Sequence, residues 1–230
     1  MNGNPGDTPD IDLPGWACGK GKAESRSGYL LKRPWDVVVG LIGMMIAMPL
    51  WVVFVIAIKL EDRGPFFFTQ ERWGKDKTRF RVYKIRTMVP NAEEAFGNIQ
   101  ARENDPRVTR VGRFLRATSL DESPQLINIV RGDMSWVGPR ALPINEVQTQ
   151  ETEGDLPDEA VEGFETRSKL RPGLTGIAQV YAPRDIPREQ KYRYDAIYAY
   201  SQSLITDIRL ILASLWITFR GKWESRERKL

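Results

Sequence analysis

The 230-residue chain contains no histidine. That absence removes Ser-His and Cys-His nucleophiles, a histidine general base and every His-ligated metal. Cysteine occurs once, at Cys18. No intramolecular disulfide can form, and no Cys-built zinc site. Charge of one sign is also lacking: 34 Lys and Arg against 30 Asp and Glu leave a net +4, too little to imply a nucleic-acid partner. Carboxylates, Lys, Arg, Tyr and oxygen-liganded metals remain for chemistry. With 41% apolar residues the chain can fill a core, so global disorder is excluded.

The charges and apolar residues are segregated along the chain. Residues 1–28 hold six Gly and three Pro and predict a flexible arm. They have neither the basic start nor the apolar run of a secretory signal. Residues 37–58 then run for 22 positions without a charge. At ~1.5 Å per residue this is ~33 Å of helix, enough for a bilayer core of ~30 Å. Pro49 lies near its middle and removes one helical hydrogen bond, so a kink or break is expected there. Basic residues flank both ends, with Lys32 and Arg33 before the run and Lys59 and Arg63 after it. Positive charge marks the cytoplasmic side, which favours a helix that breaks at Pro49 and returns. A proline-kinked span is the alternative.

Residues 63–116 carry 13 Lys and Arg against six acids, a block suited to anionic headgroups or a phosphate-rich substrate. Residues 146–165 invert this with eight acids and no base, and read as a solvated loop. Residues 203–219 predict a helix with a narrow polar stripe of Ser203, Asp207, Ser214 and Thr218. Its other positions are mostly apolar. Lying in the headgroup plane beside the basic tail 220–229 fits this pattern, and an ordinary core helix fits it as well.

Two strand-like runs, 66–70 and 78–86, flank Gly74 and predict a hairpin. On a regular strand Lys84 and Arg86 share a face, where two cations could grip a phosphate or merely protect an edge. Ser119-x-x-Glu122 matches a capping box, while Pro124 favours a helix starting at 123–124. Either way Asp121 and Glu122 stand at a helix start, whose dipole favours their ionised forms. Arg116 precedes them and Arg140 follows in a Gly-Pro turn. An ionised Asp among arginines suits a nucleophile or a Mg²⁺ ligand, and capping with surface charge explains the same residues. The Pro-Gly turn RPGLTG, 171–176, could seat a phosphate on its amides or be only a turn.

Taken in order, PFFFTQERWG, FRVYKIRTM, DPRVTRVGRFLRATSLDESPQLINIVRGDMSWVGPR, RPGLTGIAQV and KYRYDAIYAY resemble the bacterial sugar transferase family over residues 29–220. The chain is similar to the minimal form of these monotopic phosphoglycosyl transferases. The resemblance implies an α+β fold. A small, mostly helical catalytic domain with a β-hairpin would sit on a re-entrant helix-break-helix membrane segment and interfacial amphipathic helices. Residues 1–28 would form the arm, 29–60 the membrane segment broken at Pro49, and 61–230 the cytoplasmic domain. The family's break is commonly Ser-Pro. Here it is Met48-Pro49, so the Ser is lost and the Pro is kept.

The resemblance also implies transfer of a sugar 1-phosphate from a nucleoside diphosphate sugar, usually a UDP-sugar, to undecaprenyl phosphate. UMP leaves, surface glycan assembly begins, and Mg²⁺ is required. The family's Asp-Glu pair matches Asp121 and Glu122, with Asp121 the nucleophile of a covalent phosphosugar intermediate and both residues ligands for the metal. Lys84, Arg86, Arg116 and Arg140 would surround the phosphates. Asp195, Arg171 and Thr175 would support the nucleotide. The expected location is the bacterial inner membrane with the domain and N-terminus inside; a homo-oligomer is left open. The competing class is a non-catalytic membrane module that binds anionic headgroups.

Overall fold

A computed structural model describes residues 13–16, 29–92, 105–144, 158–182 and 186–223. Its first element, α1 (Lys32–Glu61), has Pro49 inside it. The two arms expected on either side of Pro49 form one continuous helix. The proline takes away a single N–H donor, and the hydrogen bonds on either side carry the element on.

Every third or fourth residue of α1 faces the rest of the chain, from Asp36 and Gly40 through Ala47 to Phe54 and Ile58. Most other positions, such as Leu41, Met45, Val52 and Ile56, are exposed. This is the a/d-like stripe of a helix packed along one side only.

The predicted hairpin is present: β1 (Phe67–Trp73) pairs antiparallel with β2 (Arg79–Ile85), from Phe67 opposite Ile85 to Trp73 opposite Arg79. Its turn has positive φ at Asp76 and Lys77. Helix α2 (Arg110–Thr118) is capped by Thr109, whose hydroxyl accepts from Gly112 N at 2.9 Å. Glu61, the last residue of α1, accepts from the amides of Arg110 and Val111 at 2.7 and 3.1 Å. Two otherwise orphaned donors of α2 are thus satisfied by the end of α1.

Beyond a short 3₁₀ turn comes α3 (Gln125–Arg131), which Gly132 ends at φ 101°. Helix α1 comes close to α3 because Gly40 and Gly43 lack side chains. A Cβ at Gly43 would stand 3.1 Å from the Trp136 ring and 3.3 Å from Leu126.

A second, parallel pair, not expected from the sequence, joins β3 (Ser135–Val137) to β4 (Gly173–Thr175). After β3 and a turn at Asp158–Ala160 comes the short helix α4 (Phe164–Ser168). Following β4 are α5 (Ile177–Tyr181), α6 (Arg188–Ser201) and α7 (Leu204–Arg220). The core is divided. One cluster joins Val137, Ile177, Tyr198 and Leu210; a second joins Ala47, Val82, Leu126 and Met134; a third joins Phe54, Ile58, Ile85 and Leu115. Helix α1 supplies side chains to the last two.

Helix α7 inverts the usual amphipathic rule. Of the expected polar stripe, Asp207 is fully buried and Ser214 hydrogen-bonds Thr175, while Ile205, Leu212, Trp216 and Phe219 are exposed. Within the arm 1–28, Leu13 and Trp16 pack on the first cluster, with the Trp16 ring edge-on to Tyr181 and under Arg209. The remainder of the arm, most of the acidic loop and the end of the basic tail lie outside the described residues.

Candidate active site

Asp121 and Glu122 occupy the 3₁₀ turn Leu120–Glu122 between α2 and α3, and both are buried. The turn follows Ser119, which is left-handed at φ 57° and closes α2. Glu122 N donates to Ser119 O at 3.2 Å, so the capping box is not made. The start near Pro124 prevails instead, since proline is pre-organised for a first helical turn.

Glu122 is held by two cations. Lys84 Nζ, from β2, donates to its Oε1 at 2.7 Å, and Arg140 Nη2 donates to the same oxygen at 3.2 Å. Burial works against ionisation of Glu122, but Lys84 and Arg140 outweigh it and hold the carboxyl well below the usual carboxylate range.

Asp121 shows the opposite balance. Burial raises it to about 7, with Glu122 adding to the rise and Lys84, Arg116 and Arg140 opposing it. The sequence expectation of an Asp favoured in its ionised form by a helix dipole gives way here to desolvation, because the turn is sunk into the domain. Burial also pulls Lys84 down from its ordinary value, against Glu122.

A cleft opens beside this turn, lined by Arg72, Lys84, Glu122, Gln125, Arg140 and Gly173 among others. Lys84, Glu122 and Arg140 therefore meet as expected, and Arg116 lies within electrostatic reach of Asp121. Arg86 does not join them. Just past the end of β2 it is buried against Asp62, donating at 2.7 and 2.5 Å, and against the carbonyls of Pro65 and Met88, both at 2.6 Å. Its donors are committed to fastening the end of α1.

Asp195 does not line the cleft. It is buried on α6, ion-paired to Arg167 at 3.0 Å, and Arg167 donates to the backbone carbonyl of Arg140 and stacks on Tyr192. Burial raises Asp195 and Arg167 opposes the rise. Arg171 donates to Gly132 O at 3.0 Å, and Thr175 is buried against Ser214. The Gly173 amide of the RPGLTG turn serves the fold, donating to Pro139 O at 2.8 Å. Its glycine is needed for close backbone contact, since a Cβ at Gly173 would lie 2.1 Å from Gly138 N.

Arg72 is a site residue that sequence reasoning misses. It is buried in β1, donates to Ala141 O at 2.7 Å and to Gln70, and lines the cleft. The available signal is its two-residue spacing from Gln70 on one strand face. Arg167 has no such signal.

Among the described residues no group of three or more metal-ligating side chains is assembled. The adjacent Asp121 and Glu122 still suit Mg²⁺, which takes one or two carboxylates and completes its shell with substrate phosphate and water.

The α+β domain thus holds a buried carboxylate pair with Lys84 and Arg140 on Glu122, beside a cleft, and carries a long helix with an exposed apolar face. The chain belongs to the bacterial sugar transferase family, whose model matches residues 27–221. It is 37% identical over 191 residues to an exopolysaccharide production protein of Rhizobium leguminosarum bv. phaseoli, covering 81% of this chain and 94% of that one. It is 36% identical over 200 residues to the UDP-glucose:undecaprenyl-phosphate glucose-1-phosphate transferase of Escherichia coli K12, covering 84% of this chain but 41% of that protein. A putative undecaprenyl-phosphate N-acetylgalactosaminyl 1-phosphate transferase of Bacillus subtilis is 46% identical over 136 residues, 59% of this chain and 74% of that one. The chain thus spans nearly all of the first relative and under half of the second.

Proposed function

We propose that the chain transfers a sugar 1-phosphate from a UDP-sugar to undecaprenyl phosphate and releases UMP. The observation that carries this reading is the placement of Asp121 and Glu122 on one buried turn, with Lys84 and Arg140 on Glu122 and Arg116 near Asp121. The names of the relatives support the same reaction. In the first half, an Asp121 carboxylate oxygen attacks the sugar-bearing phosphorus of the donor. The bond from that phosphorus to the UMP oxygen breaks, and UMP carries away the electron pair. In the second half, a phosphate oxygen of the acceptor attacks the same phosphorus and Asp121 is released unchanged. Donor and acceptor together are strongly anionic, and Lys84, Arg72, Arg116 and Arg140 offset that charge in a partly desolvated cleft. Mg²⁺ held by Asp121 and Glu122 would supply further charge neutralisation on the phosphates.

The same reading places α1 in the cytoplasmic leaflet of the inner membrane without crossing it. Lys32 pairs with Asp207 at 2.5 Å, and Arg33 donates to Ile129 O and Val130 O at 2.5 and 2.8 Å. Glu61 and Asp62 fasten the other end to α2 and Arg86. Both ends and the middle of α1 thus pack on one domain, which supports the reading that both ends stay on that domain's side of the bilayer. The exposed apolar faces of α1 and α7 would then lie in the lipid.

UMP release measured across a panel of UDP-sugars with undecaprenyl phosphate and Mg²⁺ tests the activity. Release that requires both the acceptor and Asp121 is expected. No release from any donor, or wild-type release by Asp121→Asn, would overturn the reading. Headgroup binding without turnover would instead point to the non-catalytic module.

A further inference from the structure

The apolar helix grips the turn that carries Asp121 and Glu122. Trp51 stands on the inward stripe of α1, two residues past Pro49 and between Ala47 and Phe54. Its indole Nε1 donates to Ser123 Oγ at 2.8 Å, and Ser123 Oγ donates onward to Leu120 O at 2.7 Å. Leu120 and Ser123 bracket the two carboxylate residues in sequence. The amide of Ser123 also donates to Leu120 O, at 3.1 Å. A hydroxyl has one donor and can accept as well, so the indole N–H and the Leu120 carbonyl together fix its rotor.

The ring of Trp51 packs on two core clusters at once, the one holding Val82 and Leu126 and the one holding Ile85 and Leu115. Val82 and Ile85 flank Lys84 on β2, Leu115 neighbours Arg116, and Leu126 follows the turn. Trp51 therefore packs against the two clusters to which β2, α2 and the start of α3 contribute, the elements that carry Lys84 and Arg116 and follow the two carboxylates.

We propose that Trp51 is a positioning residue of the carboxylate turn. Through Ser123 it holds Asp121 and Glu122 in register with Lys84 and Arg116, and it makes the seating of the apolar helix a condition of that register. The inference rests on the transferase reading of this site. Displacement of a reacting group by about 1 Å can cost about 10²-fold in rate, so losing one fixed hydrogen bond here should show in turnover before it shows in binding.

Trp51→Phe keeps an aromatic ring and deletes the N–H; Ser123→Ala deletes the hydroxyl. In full-length protein in lipid nanodiscs, Trp51→Phe should lower kcat for UMP release about tenfold and leave the KM for the UDP-sugar within about twofold. The double variant should be no slower than Ser123→Ala, since both changes break one link. Amide hydrogen exchange provides a readout free of activity: residues 119–123 should exchange faster in Trp51→Phe, while 126–131 and 80–85 stay protected as in wild type. Unchanged kcat with unchanged exchange in the turn would overturn the proposal. So would equally faster exchange across α3 and β2, which would make Trp51 a general packing residue. If wild type releases no UMP from any donor, the transferase reading fails, and exchange in the turn alone decides the clamp.

Discussion

Asp121 combines burial with the charge that the proposed mechanism requires of it, and this makes its cost measurable. Its carboxyl is pushed up to about 7 in the folded chain, against about 3.9 for an ordinary Asp. The folded state therefore binds the proton more tightly than the unfolded one. The stability linked to that proton is full below about pH 4 and is lost as pH rises through about 7. With Mg²⁺ present, Asp121→Asn should lose at least about 10³-fold in turnover. In metal-free buffer the same variant should melt higher than wild type above pH 7, where the wild-type chain must bury a charge that the amide lacks. The gain should vanish towards pH 4. Thermal melting from pH 4 to 8, beside UMP release, checks both halves; equal melting of the two proteins at pH 8 would contradict the burial argument. Arg86 is the complementary case. Its guanidinium is spent on Asp62 and two carbonyls, so Arg86→Lys should cost about 2 kcal/mol of stability. The KM for the donor should stay at its wild-type value. A raised KM with unchanged melting would return Arg86 to the phosphate site.

Helix α2 links the end of the apolar helix to the carboxylate turn, and its geometry depends on one missing side chain. A Cβ at Gly112 would lie 2.0 Å from the carbonyl oxygen of Thr87, which already accepts from Thr109 N at 3.0 Å. Backbone must move to admit it. Gly112→Ala should therefore destabilise by about 1–3 kcal/mol and lower activity in parallel, because Arg116 and the turn ride on the far end of the same helix. Chemical denaturation and UMP release on one preparation would show this; a full-strength variant would mean α2 can slide freely. At the other edge of the domain, α7 turns Asp207 inward to Lys32, Tyr29 and Tyr198 and leaves an apolar outer face. Burial raises Asp207, with Lys32 opposing. Periodicity shows where the stripe lies; only the partners Lys32 and Tyr198, both outside α7, explain why it points in.

At the scale of the whole molecule, the two ends of α1 share one domain, and this predicts sidedness. Trp16 packs on Tyr181 and Arg209, and Tyr29 donates to Asp207, so the chain is tied to the domain both before and after Cys18. On the proposed function, in which the domain meets UDP-sugar on the cytoplasmic side, Cys18 should resist a membrane-impermeant maleimide in intact cells and react once the cells are opened. Labelling in intact, active cells would restore a helix that spans. Pro49→Ala tests the proline's share: if ion pairs and packing at both ends keep α1 on its domain, Cys18 should stay protected without it. Labelling of Pro49→Ala alone would assign the return to the proline.

The sequence by itself determined the chemistry that was available, the long apolar run, the hairpin and the adjacency of Asp121 and Glu122. Each is a local property: composition, run length, period-two alternation or direct succession. The parallel pairing of β3 with β4 was not legible, because its strands are three residues long and far apart in the chain. Lys84 and Arg86 look equivalent at a spacing of two. Tertiary structure separates them, because Asp62 stands at the end of α1 and Glu122 beside the cleft. Asp195 and Arg171 carry charge within motif segments, yet their partners, Arg167 and the Gly132 carbonyl, make them supports. Charge is written in the sequence, but whether it is spent on the fold or left for a substrate depends on which opposite group the packing brings within about 3 Å and how much water that packing removes.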